Sequence, residues 1–591
     1  MTHFEVWAPT AKRVELALNG RRLPMVSIAG GRWVYDADTP CEDGSRYGFS
    51  IDGGPVRPDP RSPFQPEGVH GLSATVDHHR FHWHDEGWRG FYFPGSVLYE
   101  LHVGTFTSAG TFEAAIERLP HLVELGVDAI ELLPVAEFSG NRGWGYDGVH
   151  LYAPHHAYGG PSGLKRLVDA CHRHGLGVII DVVYNHLGPV GNYLAEYGPY
   201  FSKRHHTHWG EAINFDGQQA GEVRKWAIDN GLMWLREYRC DGLRLDAVHA
   251  IVDQSATHLL QEMAADVAAL AAAEGRPLWL VAESDLNDPR FVRPAECGGF
   301  GLQAAWADDF HHAVHALLSG ERSGYYADYG AVAQLAKALR QAWVFDGNWS
   351  SHRQRYHGAA TGGLTADRFV VSIQNHDQVG NRAQGDRLSH LVSLGRQKMA
   401  AAWLLTAPFV PLLFQGEEWG ASTPFLYFTD HEDPQLGEAV RQGRRREFTA
   451  FGWAPEEIPD PQSAETFARS RLNWEELDKD VHAELLTFYR ALIALRRREA
   501  ELTDPRFSRA QVHFDQEAGW VVLRRGAIAV LSNLGNTEVQ CQLGASAQVL
   551  LASTPDVVLS AQAIRLPADT TVIVRAPNLT PSLTAKEDEP S

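Results

Sequence analysis

Carboxylates, imidazoles and guanidiniums recur in this chain directly after short apolar runs, and that placement could do chemistry. Asp181 is followed by Asn185 and His186. Arg244 and Asp246 close one run and Glu283 another. Asp308-Asp309-Phe310-His311-His312, Asn375-His376-Asp377-Gln378 and Gln415-Gly416-Glu417-Glu418 close three more. One carboxylate at such a point reads as a helix N-cap. Run after run ending this way is hard to explain as capping, because crowded carboxylates cost electrostatic energy and are kept where chemistry uses them. Three carboxylates with Arg and His partners suggest glycoside hydrolysis by a retaining route. One ionised carboxylate attacks the anomeric carbon, and a protonated one about 5 to 5.5 Å away gives its proton to the leaving oxygen. Asp246 follows Arg244 by two, so on a strand both point the same way, and the Arg charge would keep Asp246 ionised. Glu283 ends the apolar run 278–282, and neighbouring acids would raise its pKa as a proton donor needs. Asp377 could stabilise the oxocarbenium-like transition state.

Those residues need a scaffold that brings distant runs to one rim. The runs are 97–102, 129–134, 177–183, 242–246, 278–283, 304–308, 369–374 and 411–415, with helical patterns such as 257–274 and 482–499 between or after them. Near-continuous apolar strands belong to a parallel sheet buried on both faces. Eight of them point to a (β/α)8 TIM barrel, whose active site lies at the C-terminal ends of its strands. Residues 1–90 instead alternate (Phe4, Val6, Ala8; Val14, Leu16, Leu18) between turn clusters, which predicts an N-terminal β-sandwich with the Pro-rich stretch 55–66 as its exit. Patterns at 520–523, 528–531 and 571–574 predict a second, C-terminal β-sandwich. The expected organisation is multidomain: a sandwich at 1–90, a catalytic barrel at 91–504 with a short inserted subdomain at about 187–220, a sandwich at 505–577 and a flexible polar tail at 578–591.

Composition narrows the partners. The chain has 591 residues, 44% hydrophobic and 21% charged, which suits a large core and argues against disorder. Lys and Arg number 53 and Asp and Glu 73, a formal charge of 53 − 73 = −20. A surface this acidic repels phosphate backbones and anionic lipid, so neither a nucleic-acid nor a membrane partner is expected. The most apolar stretch, 399–414, is broken by Thr406, Pro408 and Pro411 and is too short to span a bilayer. Cys41, Cys171, Cys240, Cys297 and Cys541 stand far apart with no CxxC pair. They read as small core fillers and fit a reducing cytoplasm. The opening MTHFEVWAPT has a strand pattern and no basic or apolar leader, so no signal peptide is expected.

Asp181-Val-Val-Tyr-Asn-His186, Asp241-Gly-Leu-Arg-Leu-Asp-Ala-Val-His249, Val281-Ala-Glu283 and Gln374-Asn-His-Asp377 resemble, in order and in barrel position, the four signature regions of the α-amylase superfamily, glycoside hydrolase family 13. The N-terminal sandwich resembles the immunoglobulin-like, carbohydrate-binding type of isoamylase and branching-enzyme members. Stretches 99–106, 142–148, 306–312, 373–382 and 424–431 are similar to the branch that cleaves the α-1,4 bond beside the terminal trehalose of maltooligosyltrehalose. The resemblance runs to about residue 577. It implies Asp246 as nucleophile, Glu283 as acid/base and Asp377 as transition-state stabiliser. It implies that His186, Arg244 and His376 grip the sugar at the cleavage point and that Tyr146 stacks under it. Leu245, Ala247, Val248, His249, Asp308, Asp309, Phe310, His311, His312, Gln378, Val379, Gly380 and Asn381 would line the groove. The implied substrate is maltooligosyltrehalose or another α-glucan, with water as co-substrate and no cofactor. Ser284 departs from the superfamily, where a more polar Asn or Asp is expected.

Trehalose is bent and non-reducing, so its pocket must be shaped and rich in polar donors; Gln378, Asn381 and Arg382 with Phe425, Tyr427 and Phe428 could supply one. The short segment after the third strand leaves little room for a calcium-binding excursion, so no required metal is expected. Arg204-His205-His206-Thr207-His208 reads as a solvated loop, since no regular element would fix the rings. Trp144 and Tyr146, flanked by glycines, read as an exposed loop at the mouth. The run 441–446 reads as a solvated, acid-paired face. Three rivals stay open. A branching transferase shares the glucosyl intermediate, although Glu is expected where Gln378 stands. A debranching α-1,6 hydrolase shares the scaffold. A non-catalytic accessory barrel would lack the three acids this chain keeps.

Overall fold

The protein was analysed as a computed structural model that describes residues 2–449, 453–543, 547–560, 563–577, 579 and 583–585. Eight parallel strands close into a barrel: β1 (Leu98–Leu101), β2 (Ala129–Leu132), β3 (Gly177–Val182), β4 (Gly242–Leu245), β5 (Trp279–Ala282), β6 (Ala304–Trp306), β7 (Phe369–Ser372) and β8 (Val410–Phe414), with β8 pairing back onto β1. They are the eight apolar runs. Every residue in them except Trp279 is buried, because helices cover the outside while side chains fill the inside.

The N-terminal region is two antiparallel sheets. One holds His3–Trp7, Arg32–Asp36 and Val26–Ile28. The other holds Arg21–Pro24, Val14–Leu18, Arg46–Ile51 and Val56–Arg57, with Ser73–Ala74 also on Arg46–Ile51. The Pro-rich stretch is therefore not the exit expected of it: it crosses the sheet, and the chain leaves only after Ala74. This unit docks on the barrel through Trp7 against Tyr200 (ring centroids 5.4 Å), Trp226 Nε1 donating to the Pro60 carbonyl (3.0 Å) and Arg61 paired with Asp229 (2.8 Å).

The C-terminal region packs a five-stranded sheet (Ala510–Asp515, Trp520–Arg525, Ile528–Asn533, Thr570–Arg575, Gln548–Ala552) on a four-stranded one (Val558–Leu559, Ala563–Leu566, Val539–Gln542, Leu583–Ala585). Most of the expected tail 578–591 lies outside the described residues, but Leu583–Ala585 within it pairs with Val539–Gln542 as an edge strand. Cys171, Cys240 and Cys541 are buried fillers, whereas Cys297 is exposed. Among the described residues no helix is long and apolar enough to cross a membrane.

Candidate active site

The C-terminal end of β4 organises the site. Arg244 lies on β4 with no exposed surface. Its Nη1 donates to both oxygens of Asp181 on β3 (3.0 and 2.8 Å) and to Asp246 Oδ1 (2.8 Å), while Nη2 stands 3.8 Å from Glu283 Oε2. The guanidinium lies over the Trp306 ring of β6, 4.4 Å from its centroid. One cation thus reaches both acids, which directly follow the neighbouring strands β4 and β5. The ladder continues past the strand: the Asp246 amide donates to Val182 O and the Glu283 amide to Leu245 O, both at 3.0 Å. The next residue, Ala247, turns left-handed (φ 37°) and aims its N–H at Glu283 Oε2 (2.6 Å). A non-glycine residue there is strained, and the strain sits where it orients a functional carboxyl.

The two acids have different surroundings. Asn185 Nδ2 donates to the other Asp246 oxygen (2.8 Å), so Asp246 has an amide and a cation holding its charge. Burial pushes Glu283 up to about 8, with Asp246, Asp308 and Asp377 adding to the rise and Arg244 opposing it. Asp308 is likewise raised to about 7 by burial and by Asp377.

A second chain of bonds crosses the mouth. Tyr146 donates to Asp181 Oδ2 (2.6 Å) and meets His376 Nε2 (2.7 Å), with its ring stacked on the imidazole at 5.2 Å. Burial lowers the His376 pKa, but Asp377 and Glu100 outweigh it and lift the ring to about 9. Asn381 Nδ2 donates to Asp377 Oδ1 (3.1 Å). His186 Nδ1 bonds Asn185 Oδ1 (2.6 Å), and its ring stacks on half-exposed Trp209 at 4.6 Å.

Two cavities open at the mouth, one lined by Asp377 and the other by His249. One of about 360 Å³ is lined by Asp308, His312, Tyr325, Arg353, Asp377, Gln378 and Asn381 among others. The other, about 570 Å³, lies between the tip His206–Trp209 and His249, Leu286 and Arg355, and Asp285 lines both. Trp209, Tyr325, Asp285 and Arg353 were not anticipated. An aromatic directly before a glycine, Trp209-Gly210, is a hairpin-tip signal that could have found the first.

Several expected groove residues stand behind the wall. Leu245 and Phe310 belong to the continuous hydrophobic core, and Val379 packs with Leu133, Phe414, Phe425 and Phe428. Val248 and Ala247 are buried and offer backbone only. His311 spends both ring nitrogens on the Ile373 carbonyl and the Tyr326 hydroxyl. Asp309 accepts from Asn287 Nδ2 and the amides of Val344 and Phe345, so it pins a loop while its edge reaches the first cavity. A Cβ on Gly380 would fall 2.1 Å from the Trp144 ring, so this glycine serves packing. Trp144 itself is buried, donates to Leu426 O (2.9 Å) and stacks on Phe425, unlike the exposed aromatic expected. Phe425 and Phe428, expected in a sugar pocket, have no exposed surface. Glu417 and Glu418 are buried and held by Tyr489, Tyr99 and His121. Residues 204–207 of the histidine run lie on a hairpin with a register shift, Phe201–Thr207 with Gly210–Ile213, rather than in a loop, with His208 at its tip; His205 bonds Asp216 (3.0 Å). Arg444, expected to be solvated, donates to Gly380 O (2.7 Å) beneath the site. Ser284 caps the turn after Glu283, accepting from the Leu286 amide (3.2 Å).

Among the described residues, Glu137, His155 and His156 form the one group whose donor atoms could share a metal. His156 Nδ1 bonds Glu137 (2.7 Å) and His155 Nδ1 accepts from the Ala157 amide (3.1 Å), while His155 Nε2 is buried without a hydrogen-bond partner among the described residues.

Comparison with known proteins agrees with this architecture. Residues 85–217 match the family model for the α-amylase catalytic domain, and 505–573 match a domain of unknown function, DUF3459. A malto-oligosyltrehalose trehalohydrolase of Rhizobium sp. (strain M-11) is 47% identical over 97% of this chain and 97% of its own. The one from Arthrobacter ramosus is 51% identical over 89% and 92%. A crystal structure assigned as an α-amylase from Salmonella typhimurium superposes with a TM-score of 0.87 at 39% identity, covering 97% of each chain.

Proposed function

The chain belongs to the malto-oligosyltrehalose trehalohydrolase family, a branch of the α-amylase superfamily, and from that membership we propose its reaction: retaining hydrolysis of the α-1,4 bond beside the terminal trehalose of maltooligosyltrehalose. The Asp246 carboxylate attacks the anomeric carbon as Glu283 gives its proton to the glycosidic oxygen, and trehalose leaves. The glucosyl ester on Asp246 is then hydrolysed by a water that Glu283, now ionised, deprotonates, so the released maltodextrin keeps its anomeric configuration. Asp377 stabilises the oxocarbenium-like transition state of each step. His186 and His376 border the reacting glucosyl unit over Tyr146, and buried Arg244 acts through the two carboxylates it reaches. The polar cavity beyond Asp377, with Asp308, Gln378 and Asn381, takes the departing sugar.

The observation that carries this is the single Arg244 guanidinium reaching both carboxylates, 2.8 Å from the acid meant to stay charged and 3.8 Å from the one meant to keep its proton. The five separated cysteines suit a reducing cytoplasm as its location. Product analysis on maltooligosyltrehalose beside plain maltodextrin of equal length tests the reaction. Free trehalose and a strong preference for the former are expected. Chain rearrangement without free trehalose would make the enzyme a branching transferase instead. Asp246→Asn should lower turnover by roughly four orders of magnitude while substrate binding persists.

A further inference from the structure

Glu100, inside the stretch 99–106, has no part in the reaction drawn above. It lies on β1, 1% exposed. Its Oε2 accepts the backbone N–H of His376 (2.9 Å), and its Oε1 meets Nδ1 of the same residue (2.5 Å). An ionised carboxylate only accepts, so Nδ1 carries a hydrogen. On the far edge of the ring, Nε2 stands 2.7 Å from the Tyr146 hydroxyl and 3.4 Å from Asp377 Oδ2. Burial raises Asp181 to about 7 against the pull of Arg244, so above that pH it is ionised and accepts the Tyr146 hydrogen (2.6 Å). Toward Nε2 the hydroxyl can therefore only accept, so Nε2 carries a hydrogen too. A ring with both hydrogens is a cation.

We propose that Glu100 is a positioning residue for this reaction: its carboxylate fixes His376 as an imidazolium whose Nε2–H is held on the Tyr146 hydroxyl beside Asp377, and it ties down the first residue of the short helix His376–Gly380 that carries Asp377. The inference rests on the reaction proposed above. The charged groups around His376 single Glu100 out. Arg244 on β4 balances Asp181 on β3. Burial and Glu100 push the Glu131 carboxyl of β2 up, and burial lowers His102, next after β1, to about 4. Asp377 has a partly exposed side chain that water can solvate. Glu100 is thus the buried carboxyl in direct contact with His376, and a buried charge without its partner is costly.

Glu100→Gln keeps the shape and removes the charge. Its carbonyl can still accept from the His376 amide, but its NH2 edge then donates to Nδ1, which must give up its hydrogen. In the whole protein labelled with 15N-histidine, the His376 signal is identified by its loss in His376→Gln. At about pH 7.5, two protonated ring nitrogens are expected in the wild type and one in E100Q. With maltooligosyltrehalose, E100Q should lose roughly 100-fold in kcat, with the alkaline limb of kcat/KM moved to lower pH. E100D, which keeps the charge on a shorter arm, should recover part of the rate. A neutral wild-type ring at that pH, or E100Q with the wild-type rate and pH profile, would overturn the proposal. If E100Q does not fold, the wild-type spectrum decides. Trehalose release by the wild type is measured alongside: its failure removes the reaction, whereas the ring spectrum reports on the Glu100–His376 pair separately.

Discussion

Asp246 and Glu283 are chemically alike and must behave oppositely, and the difference lies in what touches each. Asp246 has a guanidinium and an amide at 2.8 Å; Glu283 has burial, three neighbouring acids and a cation a full ångström farther away. A carboxyl lifted to about 8 is protonated at neutral pH and ready to donate. Activity should therefore hold through neutrality and fall with a midpoint near 8, as Glu283 loses its proton. A kcat/KM profile that stayed flat well past that point would refute the assignment. The same shift affects stability. The unfolded glutamate titrates near its ordinary 4.5, so between 4.5 and about 8 the folded chain keeps a proton the unfolded chain has released. Stability is then lost as pH rises through that window. Glu283→Gln, neutral at every pH, should be inactive and yet melt at least about 2 °C higher than the wild type above the window. Below pH 4.5 the two should melt alike. Scanning calorimetry at both ends of the window reads the difference.

At the scale of elements, the strands were easier to read than the loops that complete the site. The eight barrel strands are buried on both faces, so each appears in the sequence as a largely apolar run, broken in the first four by one charged residue that is buried. The hairpin Phe201–Thr207 is largely exposed or half-buried, so its residues carry no such run, and the position of Trp209 over His186 depends on a fold around it. Leu245 was expected in the groove because it sits inside a signature stretch. Alternation separates it: Arg244 and Asp246 point to the mouth, so the residue between them points to the helices. Gly145 shows how a loop can be as tightly specified as a strand. Its φ is 102°, and a Cβ there would fall 2.2 Å from the Pro134 carbonyl, immediately before Tyr146. Gly145→Ala must move that loop. A cost of about 2 kcal/mol is expected, with at least a tenfold loss of kcat as Tyr146 leaves Asp181 and His376. Melting and steady-state kinetics on the one variant test both; unchanged kinetics would mean the tyrosine does not matter to the reaction.

At the scale of the whole molecule, three regions with different sequence patterns meet in one apolar cluster, and the C-terminal sandwich keeps a second between its own sheets. The change from period two to buried runs and back marks where each architecture begins, but it does not show whether a core ends there. Phe4, Val14 and Phe49 of the first sandwich and Val521, Leu523, Val530 and Ile573 of the last lie in the same continuous apolar cluster as the barrel. Polar groups cross the second junction as well. Buried Arg525 donates to the carbonyls of Thr406 (2.9 Å) and Asp504 (2.7 Å), and Trp403 Nε1 donates to Ser532 Oγ (3.0 Å). Arg496 takes the carbonyls of Leu405, Ala407 and Phe409 on the barrel side. Burial lowers the Arg525 pKa to about 10, so the cation is held by carbonyl dipoles at a cost the packing must offset. Regions joined this way should melt together. Calorimetry on the full chain should show one transition, with calorimetric and van't Hoff enthalpies in agreement. Arg525→Met keeps the volume but leaves two buried carbonyls without donors, at an expected cost of about 2 to 4 kcal/mol. That cost should lower the single transition rather than split it, and the reaction should continue below the new midpoint because nothing in the mouth has moved. A C-terminal transition that separated from an unshifted barrel transition would show that the junction is a contact between independent domains, and the shared core would have to be abandoned as the unit of folding.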